Sequence, residues 1–306
     1  MSKQRTSLIS VVFTAICACA IIVIVASVPG QPLQRTDGGI ANIRWRDLSE
    51  INRSTTAFQT GEDLRYVIAW NDLPCAELRT RLRSIQLHGR ERLVLEYEGR
   101  TSAVIDWAWR YRLRGVTWFD PRSLLPEYTY RFSSENDDVE RSWTVFRRFN
   151  RSVTATKVET DEPAPDLEVE HLSFRHGLDV PAAFLFVRSL GLDAPGRQTL
   201  EVIHEDDIFG IEAVVSGSDE VEVPAGNFKA VMVELSLRSL TSGKERGDSE
   251  EKPFGPVRLW LTASGGVPVR IEVETFVGRV SCELTGIENP APETSTVIDR
   301  RPSPPR

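Results

Sequence analysis

Residues 257–273 read VRLWLTASGGVPVRIEV, and the fold turns on how this stretch is read. Val257, Leu259 and Leu261 recur at every second position up to Ala263-Ser264-Gly265-Gly266. Beyond that turn Val267, Val269, Ile271 and Val273 recur in the same way against Arg270, Glu272 and Glu274. A period of two sends successive side chains to opposite faces of a strand, so each arm has one apolar and one wetter face. The glycine pair between them turns the chain back, which predicts an antiparallel hairpin.

The same pattern extends outward in both directions. A final strand follows at 279–284. Before the hairpin, Val221-Glu222-Val223-Pro224-Ala225-Gly226-Asn227-Phe228 makes a turn into a long strand in which Val231, Val233, Leu235 and Leu237 share a face. Strands are also expected at 199–203 and 208–216. Toward the amino terminus, Leu64, Tyr66, Ile68 and Trp70 alternate with Arg65, Val67 and Ala69. Ala76, Leu78 and Leu82 then oppose Glu77, Arg79, Arg81 and Arg83. Leu93, Leu95 and Tyr97 oppose Glu96 and Glu98, Tyr128, Tyr130 and Phe132 oppose Thr129 and Arg131, and Trp143 with Val145 marks a further strand. Asp120-Pro121-Arg122-Ser123 reads as a turn, because proline fixes its own φ and aspartate bonds the backbone just ahead. Segment 150–179 is charged and carries Pro163 and Pro165, which suggests a strand near Val153 followed by a loose excursion. Segment 241–253 is too polar to pack and reads as a mobile loop.

One helix stands out. Asp179 caps residues 180–190, Pro181 sits where a missing N–H costs nothing, and Phe184, Leu185, Val187 and Leu190 form a stripe that Gly191 ends. The expected fold class is therefore mainly β: a curved antiparallel sheet or open half-barrel with one packed helix.

A different signal lies at the start. Leu8 to Val28, LISVVFTAICACAIIVIVASV, has no charge, proline or glycine, and is long enough for one transmembrane helix. Lys3 and Arg5 precede it, so positive charge stays on the cytoplasmic side and the rest is exported. The expected organisation is a cytoplasmic tail at 1–7, a signal-anchor at 8–28, a tether at 29–60, an exported β-rich domain at 61–288 and a disordered tail at 289–306. This places the chain in the inner (cytoplasmic) membrane, single-pass, with its amino terminus inside and its carboxyl-terminal domain in the periplasm or outside. Secretion after signal cleavage is the alternative, since Val25 and Ser27 fit a processing site, but cleavable apolar cores run about 7–15 residues. A lipoprotein reading rests on Ile16-Cys17-Ala18-Cys19, yet acylation at Cys19 would leave an apolar mature terminus. The net charge of -7 argues against a nucleic-acid partner.

With these elements placed, the chain resembles the domain of unknown function 3108 family of bacterial envelope proteins. The resemblance is carried by Gly61-Glu62-Asp63-Leu64-Arg65-Tyr66, by Asp120-Pro121 with Leu124-Leu125-Pro126, by Val223-Pro224-Ala225-Gly226-Asn227-Phe228, and by Leu259-Trp260-Leu261 followed by Val267-Pro268-Val269-Arg270-Ile271. It spans nearly all of 61–288. It implies an exported β-rich domain with one helix on a curved sheet, similar in outline to the open barrels of lipoprotein carriers, and it brings no catalytic residues. One departure is Cys75, where the turn after the first strand calls for a small residue.

No motif in the chain identifies a reaction, so a non-enzyme without a cofactor is expected. His88, His171, His176 and His204 share no metal-binding spacing. His204-Glu205-Asp206-Asp207 carries imidazole beside carboxylates, but four neighbours on one turn more often form a solvated bend, so no metal site is assigned. No nucleophile elbow, phosphate-cradling glycine loop or CxxC pair is present. Cys17 and Cys19 fall in the apolar segment. Cys75 and Cys282 belong to the first and last parts of the sheet, and a bridge between them competes with two free thiols.

Aromatic side chains crowd residues 107–143, interleaved with Arg110, Arg112 and Arg114. They suit the core of a curved sheet; they also suit a concave surface for a lipid-like ligand, lined by Trp70, Trp107, Trp109, Tyr128, Tyr130 and Trp143. Two functions follow: a membrane-tethered, non-catalytic module binding a hydrophobic ligand in the half-barrel, or an assembly protein that docks an envelope partner through a sheet edge or the 241–253 loop. An open apolar cavity of about 300 Å³ or more would favour the first, and a filled one the second.

Overall fold

In the computed structural model the alternating segments pair into one antiparallel sheet. The residues described are 60–87, 89–147, 152–159, 167–173, 177–189, 197–204, 207–239, 254–263, 266–275 and 278–288. The apolar run at 8–28, its flanking tail and tether up to residue 59, the 241–253 loop and the 289–306 tail lie outside them.

The elements in chain order are β1 (Asp63–Trp70), β2 (Leu73–Leu87), β3 (Arg90–Thr101), α1 (Ala103–Asp106), β4 (Tyr111–Phe119), β5 (Pro126–Glu135), β6 (Asp138–Arg147), β7 (Ser152–Glu159) and β8 (Leu167–Ser173). They continue with α2 (Val180–Arg188), β9 (Arg197–His204), β10 (Asp207–Val223), β11 (Gly226–Ser239), β12 (Phe254–Thr262), β13 (Pro268–Thr275) and β14 (Gly278–Glu288). The sheet order is β8-β7-β6-β5-β4-β3-β2-β1-β14-β13-β12-β11-β10-β9. The chain thus starts in mid-sheet, meanders to one edge, crosses through α2 to the other edge, and meanders back until β14 lies beside β1. The crossover runs through α2, whereas every other pair of strands consecutive in the chain lies side by side in the sheet. At the first turn Trp70 faces Leu73 across Asn71 and Asp72, whose φ values of 45° and 67° are those of a two-residue hairpin.

The period of two is kept. Leu64, Tyr66 and Ile68 of β1, Leu78 and Leu82 of β2, and Leu93, Leu95 and Tyr97 of β3 all face one main core, as do Val257, Leu259, Leu261, Val269, Ile271 and Val273 of the 257–273 hairpin. We call this the inner face. The sheet curls over it: Phe146 of β6, Val153 of β7 and Ile203 of β9 share a small cluster although they belong to opposite wings.

α2 lies within the space enclosed. Every residue from Val180 to Arg188 is buried, and the helix packs on β4 and β9. A helix apolar all round has no solvent side, so interior placement is its stable solution. Just before it, Leu178 bridges Val202 of β9, covering part of an edge that would otherwise offer unpaired N–H and C=O groups.

Three expectations change. The excursion after Val153 contains a strand, β8, paired along β7. The helix stops at Arg188 rather than 190, because the Ser189 N–H and hydroxyl satisfy its last carbonyls. Cys75 is not in the turn; it is the extra residue of a bulge, since Ile68 pairs with Ala76 while Ala69 pairs with Pro74.

Candidate functional site

Inside the sheet, both ends of α2 are held by polar groups. At its start Asp179 accepts a hydrogen bond from the Ala182 N–H at 2.8 Å, and its other oxygen accepts from the hydroxyls of Thr117 on β4 at 3.1 Å and Thr129 on β5. At its end the Arg188 guanidinium donates twice to the Glu62 carboxylate, at 2.6 and 2.9 Å, and once to the Gly266 carbonyl at 2.9 Å. The Arg188 and Glu62 side chains are only 1% and 5% exposed. The Phe184 ring lies 5.6 Å from the guanidinium, and the Tyr66 hydroxyl donates to the Pro268 carbonyl beside it. Burial pushes the Tyr66 hydroxyl well above its ordinary pKa, partly offset by Arg188. These groups are fully paired and enclosed, so they position the helix and face no substrate.

The inner face therefore holds a helix where the sequence suggested a ligand. The six aromatics expected to line a concave surface are not brought together. Trp70 is partly buried against the main core; Trp109 is buried, stacked 5.3 Å from Tyr111, with its indole N–H on Glu135. Trp107 is 85% exposed. Tyr128, Tyr130 and Trp143 join Ile85, Val94 and Trp118 in a separate cluster on the outer face. Alternation explains the split: Thr129 points inward to Asp179, so Tyr128 and Tyr130 must point outward.

Cys75 and Cys282 are free, buried thiols. Ile68 of β1 pairs with Cys282 on one side and Ala76 on the other, so the two cysteines are separated by a whole strand. Flanking strands lie about 9.5 Å apart, beyond the roughly 7 Å that a disulfide spans. Burial pushes the Cys75 thiol up to about 12 and raises Cys282 as well, so neither is a nucleophile at neutral pH. No group of three His, Cys, Asp or Glu side chains suited to a metal occurs among the described residues, and the side chains of His204 and its three neighbours lie outside them.

The outer face carries open space. A groove of about 430 Å³ runs over β2 to β5, with Ile85, Val94, Val116, Trp118 and Tyr130 as an apolar floor. It continues across β14, β1 and β2 into a second hollow of about 890 Å³, lined by five arginines and two glutamates. Arg79, Glu98 and Arg114 line both parts. Most of these charges form cross-strand pairs: Arg100 with Glu77, Arg83 with Glu96, Arg79 and Arg81 with Asp63. Burial alone would raise the Asp63 carboxyl, but the two guanidiniums outweigh it and hold it below its ordinary value. Arg114 has no carboxylate partner among the described residues, and the buried Arg83 Nε has no acceptor.

Residues 65–285 match a family described as protein of unknown function, DUF3108. The chain belongs to the DUF3108 family. No curated protein matches it. Three solved structures resemble this DUF3108 domain in outline. A β-barrel-like DUF1849 protein from Brucella abortus aligns with a TM-score of 0.47 and 8% identity, over 74% of this chain and 97% of its own. An exported protein with a YmcC-like fold from Bacteroides fragilis gives 0.35 and 11%, over 75% and 96%. A lipoprotein from Parabacteroides distasonis gives 0.31 and 8%, over 75% and 96%.

Two features of the DUF3108 domain escaped the sequence reading. Glu62 and Arg188 are 126 residues apart, and no local pattern links them. The outer groove was hidden because alternation shows that Tyr128 and Tyr130 share a face without showing which face is enclosed.

Proposed function

We propose that this DUF3108 protein is a non-catalytic envelope module that binds an amphiphile with an anionic head in the outer groove. One observation carries the reading: an apolar-floored groove opens into an arginine-rich hollow at Arg114, a guanidinium without a carboxylate partner among the described residues. An acyl chain over Val94, Val116 and Trp118 would leave water, while a phosphate or carboxylate would meet Arg114. The apolar run at 8–28, read as an uncleaved anchor with its amino terminus inside, would hold the module beside the membrane that supplies such molecules. Ligand in the half-barrel itself is the less favoured site, because α2 occupies it.

The test uses the full chain extracted in mild detergent, with dodecyl phosphate and dodecanol as probes followed by native mass spectrometry. The expected result is a dodecyl phosphate adduct that V116R removes, while R114E weakens dodecyl phosphate about tenfold and leaves dodecanol unchanged, as loss of one charge-assisted contact would. Equal binding by wild type and V116R, or no adduct with either probe, would sink the proposal.

A further inference from the structure

Large apolar side chains are exposed at four places among the described residues: Leu73 at 57%, Val104 at 74%, Trp107 at 85% and Ile287 at 41%. Three of them gather at one end of the sheet. Leu73 opens β2 just after the Asn71-Asp72 turn, while Val104 and Trp107 stand three residues apart on and just after α1. The Ser102 N–H bonds the Cys75 carbonyl at 2.9 Å, and Ala76 pairs with Thr101, so both elements rise from the same place.

This tip is rigid. Asp106 pairs with Arg112 and Thr101, Ile105 packs on the main core, and the Trp109 indole bonds Glu135. On either side Asp72 pairs with Arg279, and Asp137 with Arg110 at 3.0 Å. α1 thus presents Val104 and Trp107 outward, with no apolar neighbour among the described residues to cover them.

We infer that this tip inserts into the surface of a phospholipid bilayer. The three side chains expose on the order of 400 Å², about half of what one partner contributes to a stable protein interface. A bilayer asks for less: a few apolar groups below the headgroups and a tryptophan at their level. The sequence at 29–60 is long enough to reach, since any flexible chain of that length would span on the order of 30 Å, comparable to the length of β1 that separates the tip from the end where the described chain begins. That last step rests on the anchored reading of residues 8–28; the exposure of the tip does not depend on what the groove binds.

The experiment replaces Leu73 with a photo-crosslinking phenylalanine analogue in the full chain expressed in cells, with the same probe at exposed Ser218 as a control. Expected are phospholipid adducts at 73, not at 218, that fall at least fivefold in a W107E background; Trp107 is exposed, so the fold is kept. A discrete protein adduct at 73 would replace the bilayer with a protein partner, and lipid adducts indifferent to W107E, or none at all, would overturn the inference. Carbonate washing of the same membranes tests the anchor separately, because an anchored chain stays with the pellet whatever occupies position 107.

Discussion

The two faces of the sheet use the same charged chemistry to opposite ends. On the inner face Arg188 and Glu62 meet almost without solvent; on the outer face Arg100 and Glu77 meet with side chains 66% and 58% exposed. Removing one partner of a buried pair leaves an uncompensated charge in a low dielectric, whereas an exposed pair trades little against water. The inner pair therefore decides whether α2 can stay where it is, and the outer pairs mostly keep a broad surface wet. Position on the sheet, more than residue type, sets what an arginine does here.

The sharpest way to break this comparison is to remove the inner pair. Arg188→Ala or Glu62→Ala should each cost about 3–5 kcal/mol in urea unfolding, and E62L/R188M should recover much of it because no orphan charge remains. If the single variants cost less than about 1 kcal/mol, the inner pair is no different from a surface one.

A smaller effect tests how tightly the inner face is packed. A methyl group at Gly115 would lie 2.0 Å from the Tyr97 ring, which is itself buried. Gly115→Ala should lower stability by about 1–3 kcal/mol, while Gly99→Ala, whose methyl meets nothing closer than 3.6 Å, should be near neutral. Equal midpoints for the two variants would show that Tyr97 yields freely.

The smallest expected effect is a pH dependence outside. The Arg112 guanidinium, with Thr101, holds the Asp106 carboxyl down to about 2 against an ordinary 3.8. Because the folded value lies below the unfolded one, this stabilisation is fully present above about pH 4 and is lost as pH falls toward 2. Solvent screening limits it to about 1 kcal/mol, so the gap between wild type and Asp106→Asn in thermal scans should close by that amount over this range. A gap unchanged from pH 7 to pH 2 would remove Asp106 as the clamp on α1.

Much of the architecture was legible because alternation is a local property. The two arms of 257–273, the opposition of Leu78 and Leu82 to Arg79 and Arg81, and the Asp179 cap all follow from neighbours two to four residues apart. The Asp120 turn is likewise local: its carboxylate accepts from the N–H groups of Arg122 and Ser123. β8 was missed because Pro163 and Pro165 argue for a break, and nothing local reports the partner strand β7. The aromatic site was misplaced for a related reason, since Tyr128 and Trp143 are as apolar as Leu93 and Tyr97 yet belong to the other face.

By itself the sequence determined that this chain makes antiparallel strands, where several of them turn, and that one capped helix packs on the sheet, because side-chain period, turn chemistry and capping act over a few residues. Only the tertiary structure decided which face encloses α2, that Glu62 meets Arg188, and that Leu73, Val104 and Trp107 stand together. Those outcomes depend on the curl of a 14-stranded sheet, which adds small twists over many strands and brings together residues that no local pattern relates.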